Sequence, residues 1–246
     1  MHLEVRRMLL CVVTRTDNRY MRLLYDRSML KLTVAVLLGL LVTFPCRVSG
    51  EDTPASRLLL VAKTQDIQMY LPQGTHLLHD PVAIEKFFEA LDGAPPDWSE
   101  LHGSHGDRND ERLFVLNRER DLLRAGRPAL SQQITFIWEG VLSNYVSDKG
   151  GFLVAIGPEV IATAWGHVRF KPESLPAELL AVPPPEFKES LRPRVARGEN
   201  VKVLVAMTGG LVQNEALIYD FAHEDPSQGM IMPMVRVEQI DYLIPE

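Results

Sequence analysis

Six residues of this chain are candidate metal ligands. Four of them form two pairs with a spacing of three residues, and an aspartate closely follows the second pair. Neutral imidazoles with a carboxylate form the type of ligand set that binds Zn²⁺ or a similar ion. Neither pair has the four-residue spacing that places two histidines on one side of a helix, so a site requires distant segments to meet. The candidates are His76, His79, His102, His105, Asp107 and His223.

The segment around the second histidine pair has an alternative interpretation as an exposed loop. From Asp92 to Arg112 the chain is rich in Gly, Pro, Asp, Asn, His and Ser, which is typical of loops. Nothing in such a segment fixes the direction of His102 or His105, so the sequence favours a solvated loop over a metal site. A dispersed hydrolase site is the alternative, assembled from scattered residues such as His102, His105, Asp107, Asp220 and His223.

A second candidate is a row of three side chains at alternate positions. Residues 160–170 are predicted to form a strand, which places Trp165, His167 and Arg169 on one face. An aromatic ring, a titratable ring and a cation in one row could bind an anionic or planar ligand, or a partner protein. The plainer interpretation is a half-exposed strand with ordinary cross-strand pairs.

Three methionines near the end of the chain form a third candidate. Met230, Met232 and Met234 alternate in an extended segment, so their thioethers lie on one side. Thioethers are soft ligands that select Cu(I). Methionine also fills gaps in apolar cores, and we expect this row to be the core face of a strand.

Three segments before residue 150 carry helical or mixed signals. Pro81–Leu91 follows the capping residue Asp80 and is predicted to be a helix that ends at Gly93. Leu113–Leu116 is predicted to be a short strand, and Arg118–Ala125 a short helix. Ser131–Ser147 has the clearest helical period, with six apolar residues on one face. These are Ile134, Ile137, Trp138, Val141, Leu142 and Tyr145.

The chain after Gly150 is predicted to be mostly β. Phe152–Ile156 and Val160–Phe170 form one predicted hairpin around Gly157 and Pro158. Val201–Met207 and Leu211–Phe221 form another, which turns at Gly209 and Gly210. We therefore predict a single α+β domain over residues 51–246, with a mostly antiparallel sheet, a β-rich C-terminal half and two to four helices. The proline-rich segment 172–185 is the candidate sub-boundary.

The first fifty residues are expected to be a signal region. The uncharged run Leu32–Phe44 is 13 residues long, which suits a secretory signal and is short for a membrane span. Translation is expected to start at Met29, with cleavage after Gly50. An uncleaved N-terminal anchor is the alternative. After cleavage we expect no membrane span.

Charge and cysteine content exclude several classes of function. The whole chain has a net charge of −6; residues 1–50 hold eight Lys and Arg against three Asp and Glu, so the remainder carries −11. Such an acidic chain lacks the counterion release that drives nucleic-acid binding. Both cysteines, Cys11 and Cys46, precede residue 51, so the remainder has no thiol nucleophile or thiolate ligand.

The motifs point to a binding protein rather than an enzyme. The sequence has no phosphate-cradling glycine loop, dinucleotide fingerprint or peptidase signature. We expect a periplasmic or extracellular accessory or binding domain without catalytic residues or a cofactor. Its partner would be a protein or small ligand of the cell envelope. A metal-dependent or other hydrolase is the alternative.

Overall fold

A computed structural model describes residues 60–62, 64–102, 109–222 and 229–245. The chain divides into two compact units, Met1–Glu51 and Asp52–Glu246, and every described residue belongs to the second. Within the described part, no helix is long and apolar enough to cross a membrane.

In the part of the chain that the structure describes, four α-helices and two 3-10 helices accompany the sheet. The α-helices are α1 (Pro81–Asp92), α2 (Trp98–His102), α3 (Asp110–Arg124) and α4 (Pro185–Ala196). The 3-10 helices are Thr64–Tyr70 and Pro128–Ser131.

The described residues form eleven strands. They are β1 (Leu60–Ala62), β2 (His76–Leu77), β3 (Gln133–Val146), β4 (Gly151–Ile156), β5 (Ile161–Thr163), β6 (Gly166–Val168), β7 (Lys171–Pro172), β8 (Leu180–Ala181), β9 (Lys202–Leu211), β10 (Leu217–Phe221) and β11 (Gly229–Pro245). Their main order is β5-β6-β11-β9-β3-β4-β8. All long pairings are antiparallel, which confirms the predicted α+β class and the β-rich C-terminal half.

The 17-residue strand β11 organises the sheet. Its second half pairs antiparallel with β9, from Val235 opposite Leu211 to Leu243 opposite Leu204. Its first half lies between β10 on one side and the short parallel strand β6 on the other. The register of its pairing with β9 shifts between Val237 and Gln239, which is an irregularity of the β-bulge type.

Helix α1 forms as its capping residues predict. The Asp80 carboxylate accepts a hydrogen bond from the Ala83 amide at 3.0 Å, and Gly93 ends the helix at a positive φ of 82°. The helix buries one apolar face in the main core, which also contains the inner faces of β3, β9, β10 and β11. The buried residues of that face are Ile84, Phe87, Phe88 and Leu91.

The predicted helix over Ser131–Ser147 is wrong, because this segment is strand β3. Its buried positions recur every second residue from Ile134 to Leu142, which is the period of a strand. Several of the same apolar residues also fit a 3.6-residue period, so the pattern alone was ambiguous. Pairing with β4 and β9 on both sides satisfies the backbone of β3 and decides the outcome.

The opposite error was made at Leu113–Leu116, predicted as a strand. It belongs to α3, which is one continuous helix from Asp110 to Arg124. Asn109 caps the helix, since its side-chain oxygen accepts a hydrogen bond from the Arg112 amide at 3.0 Å. The apolar residues of this run lie on different sides of the helix. Leu113 is buried, whereas Phe114 and Val115 are exposed.

Both predicted hairpins are paired differently. Strand β4 pairs with β3 and β8, and the following segment forms its own hairpin from β5 and β6. Strand β9 continues through Gly209 and Gly210, and both β9 and β10 pair with β11. A Cβ at Gly209 would lie 2.0 Å from the carbonyl oxygen of Arg236, so this glycine permits close approach of β11 and makes no turn.

Candidate functional site

The predicted metal ligands that the structure describes do not meet. His76 is exposed in β2, and the exposed His79 has its Nδ1 3.6 Å from the Asp80 carboxylate. His102 is buried at the end of α2. Within the described ranges, no group of three His, Cys, Asp or Glu side chains could hold a metal ion. His105, Asp107 and His223 lie outside the described residues.

The composition of the residues around His102 predicted an exposed loop. This prediction is wrong for His102, which is buried at the end of helix α2. Its ring packs against Phe221, with the ring centroids 4.6 Å apart. Its Nε2 atom is buried and has no hydrogen-bond partner among the residues that the structure describes.

The predicted row of Trp165, His167 and Arg169 does not lie on one surface. Trp165 is 6% exposed, and its ring makes an edge contact with Phe88 at 5.6 Å between centroids. The reason is local: residues 164 and 165 form the tight turn between β5 and β6, which interrupts the alternation. His167, half-buried, and Arg169, exposed, do share the outward face. A binding role for these two stays a prediction.

The methionine row also differs from expectation. Ile231 and Val235 of β11 are fully buried, so the inward face is the one that alternates with the methionines. Met230, Met232 and Met234 lie on the outward face and are partly exposed. The predicted core role for this row is therefore wrong, and three thioethers are presented away from the core.

Two glycines and a tryptophan fix the start of β11 against β6. The Trp98 indole packs so closely on Gly229 that a Cβ there would lie 2.0 Å from the ring. A Cβ at Gly166 would lie 2.7 Å from the Gly229 carbonyl oxygen. The Trp98 Nε1–H donates to the Trp165 carbonyl at 2.7 Å. Only glycines allow this approach, which places the residues after them, His167 and Met230, in register.

A buried ion cluster that no sequence pattern predicted attaches α3 to the sheet. The Arg124 guanidinium, fully buried, binds both oxygens of Asp92 at 2.6 and 2.7 Å. It also donates to Asp121 at 2.7 Å and to the Leu217 carbonyl of β10 at 3.1 Å. The Tyr219 hydroxyl donates to Asp92 as well. These bonds satisfy the buried charges, so the cluster positions α3 against β10.

The surroundings of the cluster raise the pKa of two of its members, Tyr219 and Arg124. Burial, reinforced by the neighbouring Asp92 carboxylate, raises the pKa of the Tyr219 hydroxyl well above its ordinary value of 10.0. Burial alone would lower the pKa of Arg124, but the hydrogen bonds and charge of Asp92 raise it. Both groups therefore hold their protons at neutral pH, and the cluster is structural.

The most prominent surface feature is the outward side of α3. Phe114 is 67% exposed and Leu122 is 72% exposed, and the two lie on one side of the helix, two turns apart. Val115 and Leu123 are also exposed, but they point to other sides of the helix, since nine residues, or half a turn beyond two full turns, separate Leu123 from Phe114. We call the Phe114 and Leu122 side chains the α3 face. Clusters of large exposed apolar side chains mark interaction sites in folded proteins.

A groove of about 820 Å³ runs along this face. Its walls are α3, the Gly126–Pro128 turn and the loop between β9 and β10. Phe114 and Leu122 line it together with two cations, Arg118 and Arg127. Neither arginine forms an ion pair with a described carboxylate, whereas the Asp121 carboxylate of the same groove is already bound by Arg124. The groove also contains the Glu215 carboxylate, so its apolar walls carry two arginines against one carboxylate that forms no ion pair with a described cation.

Sequence reasoning missed this face because it divided α3 into a strand and a short helix. Read as one helix from Asp110, the sequence would have shown two apolar pairs eight residues apart, Phe114–Val115 and Leu122–Leu123. No protein-family model, curated protein or solved structure matches this chain.

Proposed function

We propose that this protein is an exported, non-catalytic accessory domain that binds an acidic amphipathic segment of a partner protein on the α3 face. The observation that carries the proposal is the exposure of Phe114 and Leu122 beside a groove. Export is supported by the sequence of the first fifty residues. A periplasmic or extracellular location follows from it.

The apolar area that α3 exposes to water can supply the free energy of binding. Full burial of a Leu or Phe side chain contributes about 1.5–3 kcal/mol, so two anchors and their neighbours can supply the affinity of a specific complex. An aromatic anchor with arginines beside it is the composition of an interface centre. A partner helix or extended segment with two apolar anchors fits a groove of this size.

Charge defines the expected partner further. The chain is acidic overall, yet the groove contains two arginines, Arg118 and Arg127, against a single carboxylate outside an ion pair, Glu215. Opposite charges across an interface steer association and select partners, so the partner segment is expected to carry Asp or Glu next to its apolar anchors.

Site-specific photocrosslinking in the producing cell tests this proposal. We expect p-benzoylphenylalanine at position 114 to give one defined adduct, and the same probe at the exposed Val160 to give none. The charge reversal Arg118→Glu is expected to abolish the adduct. A synthetic peptide from the crosslinked region should bind the purified chain, and Phe114→Ala with Leu122→Ala should weaken it at least about tenfold.

Two results would contradict the proposal. One is equal crosslinking from positions 114 and 160, which would indicate random collision. The other is a peptide whose affinity does not change in the Phe114→Ala, Leu122→Ala variant. The dispersed hydrolase is favoured by no observation among the described residues and stays a prediction.

A further inference from the structure

We infer that the outward face of β11 contains a Cu(I)-binding site formed by Met230, Met232 and His167. The inference goes beyond the proposed function, because it uses different side chains from the α3 face and a different ligand. It starts from the unexpected outward position of the methionine row.

Strand register places an imidazole beside the first methionine. Met230 is in register with His167 of the parallel strand β6, and residues in register on neighbouring strands point to the same face about 5 Å apart. Met232 is the next outward residue of β11, about 7 Å further along. Methionine has three rotatable bonds, so both sulfur atoms can reach a common point near the His167 ring.

The ligand set matches one class of ion. Two thioethers are too soft to hold Mg²⁺ or Ca²⁺, whereas thioether and imidazole together suit Cu(I), for which three ligands are sufficient. The His167 ring has no hydrogen-bond partner among the described residues, so no contact needs to be broken before it binds. The site needs no thiolate, in agreement with a chain that lacks cysteine after residue 46.

The backbone below this site is held by contacts that are independent of any ion. Trp98 packs on Gly229, directly before Met230, and Gly166 contacts the Gly229 carbonyl directly before His167. Both ligand-bearing strands are thus held together at their first residue. A site on two fixed strands loses less conformational entropy on binding than one on loops.

The surrounding charges place the ion at the Met230 end of the row. Asp220 of β10 is in register with Met230 on the side opposite His167, and its carboxylate favours a nearby cation. Arg169 and Lys171 follow His167 at alternate outward positions, and Lys171 is in register with Met234. Met234 is excluded from the site by distance, because it lies four residues, about 14 Å, along the strand from Met230.

Competition for Cu(I) with a bathocuproine-type chelator, under anaerobic reducing conditions, tests the inference. The full chain is used with Cys11→Ser and Cys46→Ser, so that no thiol contributes. We expect transfer of one equivalent of Cu(I) and shifts of the Met230 and Met232 methyl signals in a spectrum with ¹³C-labelled methionine methyl groups. The pair Met230→Leu, Met232→Leu and the single change His167→Gln should each weaken binding at least about tenfold.

Two matched controls separate this site from general methionine or surface effects. Met234→Leu lies on the same strand and face, and Met69→Leu removes a methionine that is 73% exposed elsewhere. Both should leave the affinity unchanged. Arg169→Gln should strengthen binding, by about two- to fivefold, because it removes a nearby positive charge.

The outcomes are distinguishable from those of the partner-binding test. No transfer of Cu(I), or transfer that survives the Met230→Leu, Met232→Leu pair, overturns this site and leaves the α3 face unaffected. Thermal unfolding of each variant shows whether folding is retained, and outward-facing substitutions should not change it.

Discussion

Asp92 shows how one residue can connect three parts of this fold. It is the last residue of α1, its carboxylate is fully buried, and it binds the side chains of Arg124 from α3 and Tyr219 from β10. The Asn117 side chain adds two hydrogen bonds to the Tyr219 backbone, at 2.8 and 2.9 Å. Such a network holds α3 in one orientation on the sheet, so the α3 face is presented in a fixed geometry.

The raised pKa of Tyr219 predicts a specific loss of stability at high pH. In the unfolded chain the phenol ionises near its ordinary pKa of 10.0, whereas in the fold it stays protonated to higher pH. Its contribution is fully present below pH 10 and decreases as the pH rises towards the folded pKa, by about 1.4 kcal/mol per pH unit.

Urea denaturation between pH 8 and 11.5 measures this effect. Above pH 10 the unfolding free energy should decrease less steeply with pH in Tyr219→Phe than in the wild type. The difference in slope should approach about 1.4 kcal/mol per pH unit, which corresponds to one proton. Tyr70, at 38% exposure, provides the control, since Tyr70→Phe should leave the slope unchanged. Identical slopes in the wild type and Tyr219→Phe would show that Tyr219 does not keep its proton in the fold.

At the scale of elements, the errors of the sequence-based prediction share one cause. The apolar residues of β3 fit both a helical period and a strand period. Helix α3 contains the apolar run Leu113–Leu116, which resembles a short strand. Local pattern could not decide either case, because the competing conformations bury similar residues. Pairing partners 60 or more residues away decided β3, as its contacts with β9 show.

The adjacent glycines of β9 provide a matched test of why the predicted hairpin did not form. A Cβ at Gly209 would lie 2.0 Å from the Arg236 carbonyl, whereas a Cβ at Gly210 meets nothing within 4 Å. Gly209→Ala should therefore lower the unfolding free energy by about 1–3 kcal/mol, through displacement of β11. Gly210→Ala should leave it unchanged or raise it slightly, because alanine reduces the entropy of the unfolded chain.

Chemical denaturation of the two variants distinguishes these cases. The two substitutions are identical in chemistry and one residue apart, so any difference comes from the approach of β11. Equal unfolding free energies would show that β9 and β11 are not as close at this point as the structure places them.

The molecule has two candidate binding surfaces, and they differ in chemistry. The α3 face is apolar with arginines, and the outward face of β11 presents thioethers and an imidazole. The first suits a macromolecular partner and the second a soft ion. The expected export of the chain determines where both would operate.

N-terminal sequencing of the protein isolated from the producing cell tests the signal region. We expect Glu51 as the first residue, since the small residues Ser49 and Gly50 precede it. Replacing Leu38 and Leu40 by Arg should block export, whereas Leu38→Ile with Leu40→Ile should not. A mature chain that retains residues 32–44 would instead support the N-terminal anchor.

Local sequence patterns were sufficient to predict the class of fold and the limits of α1, and the composition shows that no cysteine follows residue 46. Capping residues such as Asp80 and Gly93 bind backbone groups only a few residues away, so their effect can be predicted without knowledge of distant contacts. Net charge follows from composition alone. The tertiary structure alone decided the conformation of residues 131–147, the burial of Trp165, the outward methionines and the exposed side of α3. Each depends on which distant backbone satisfies a strand or covers a face, and that information is not local in the chain.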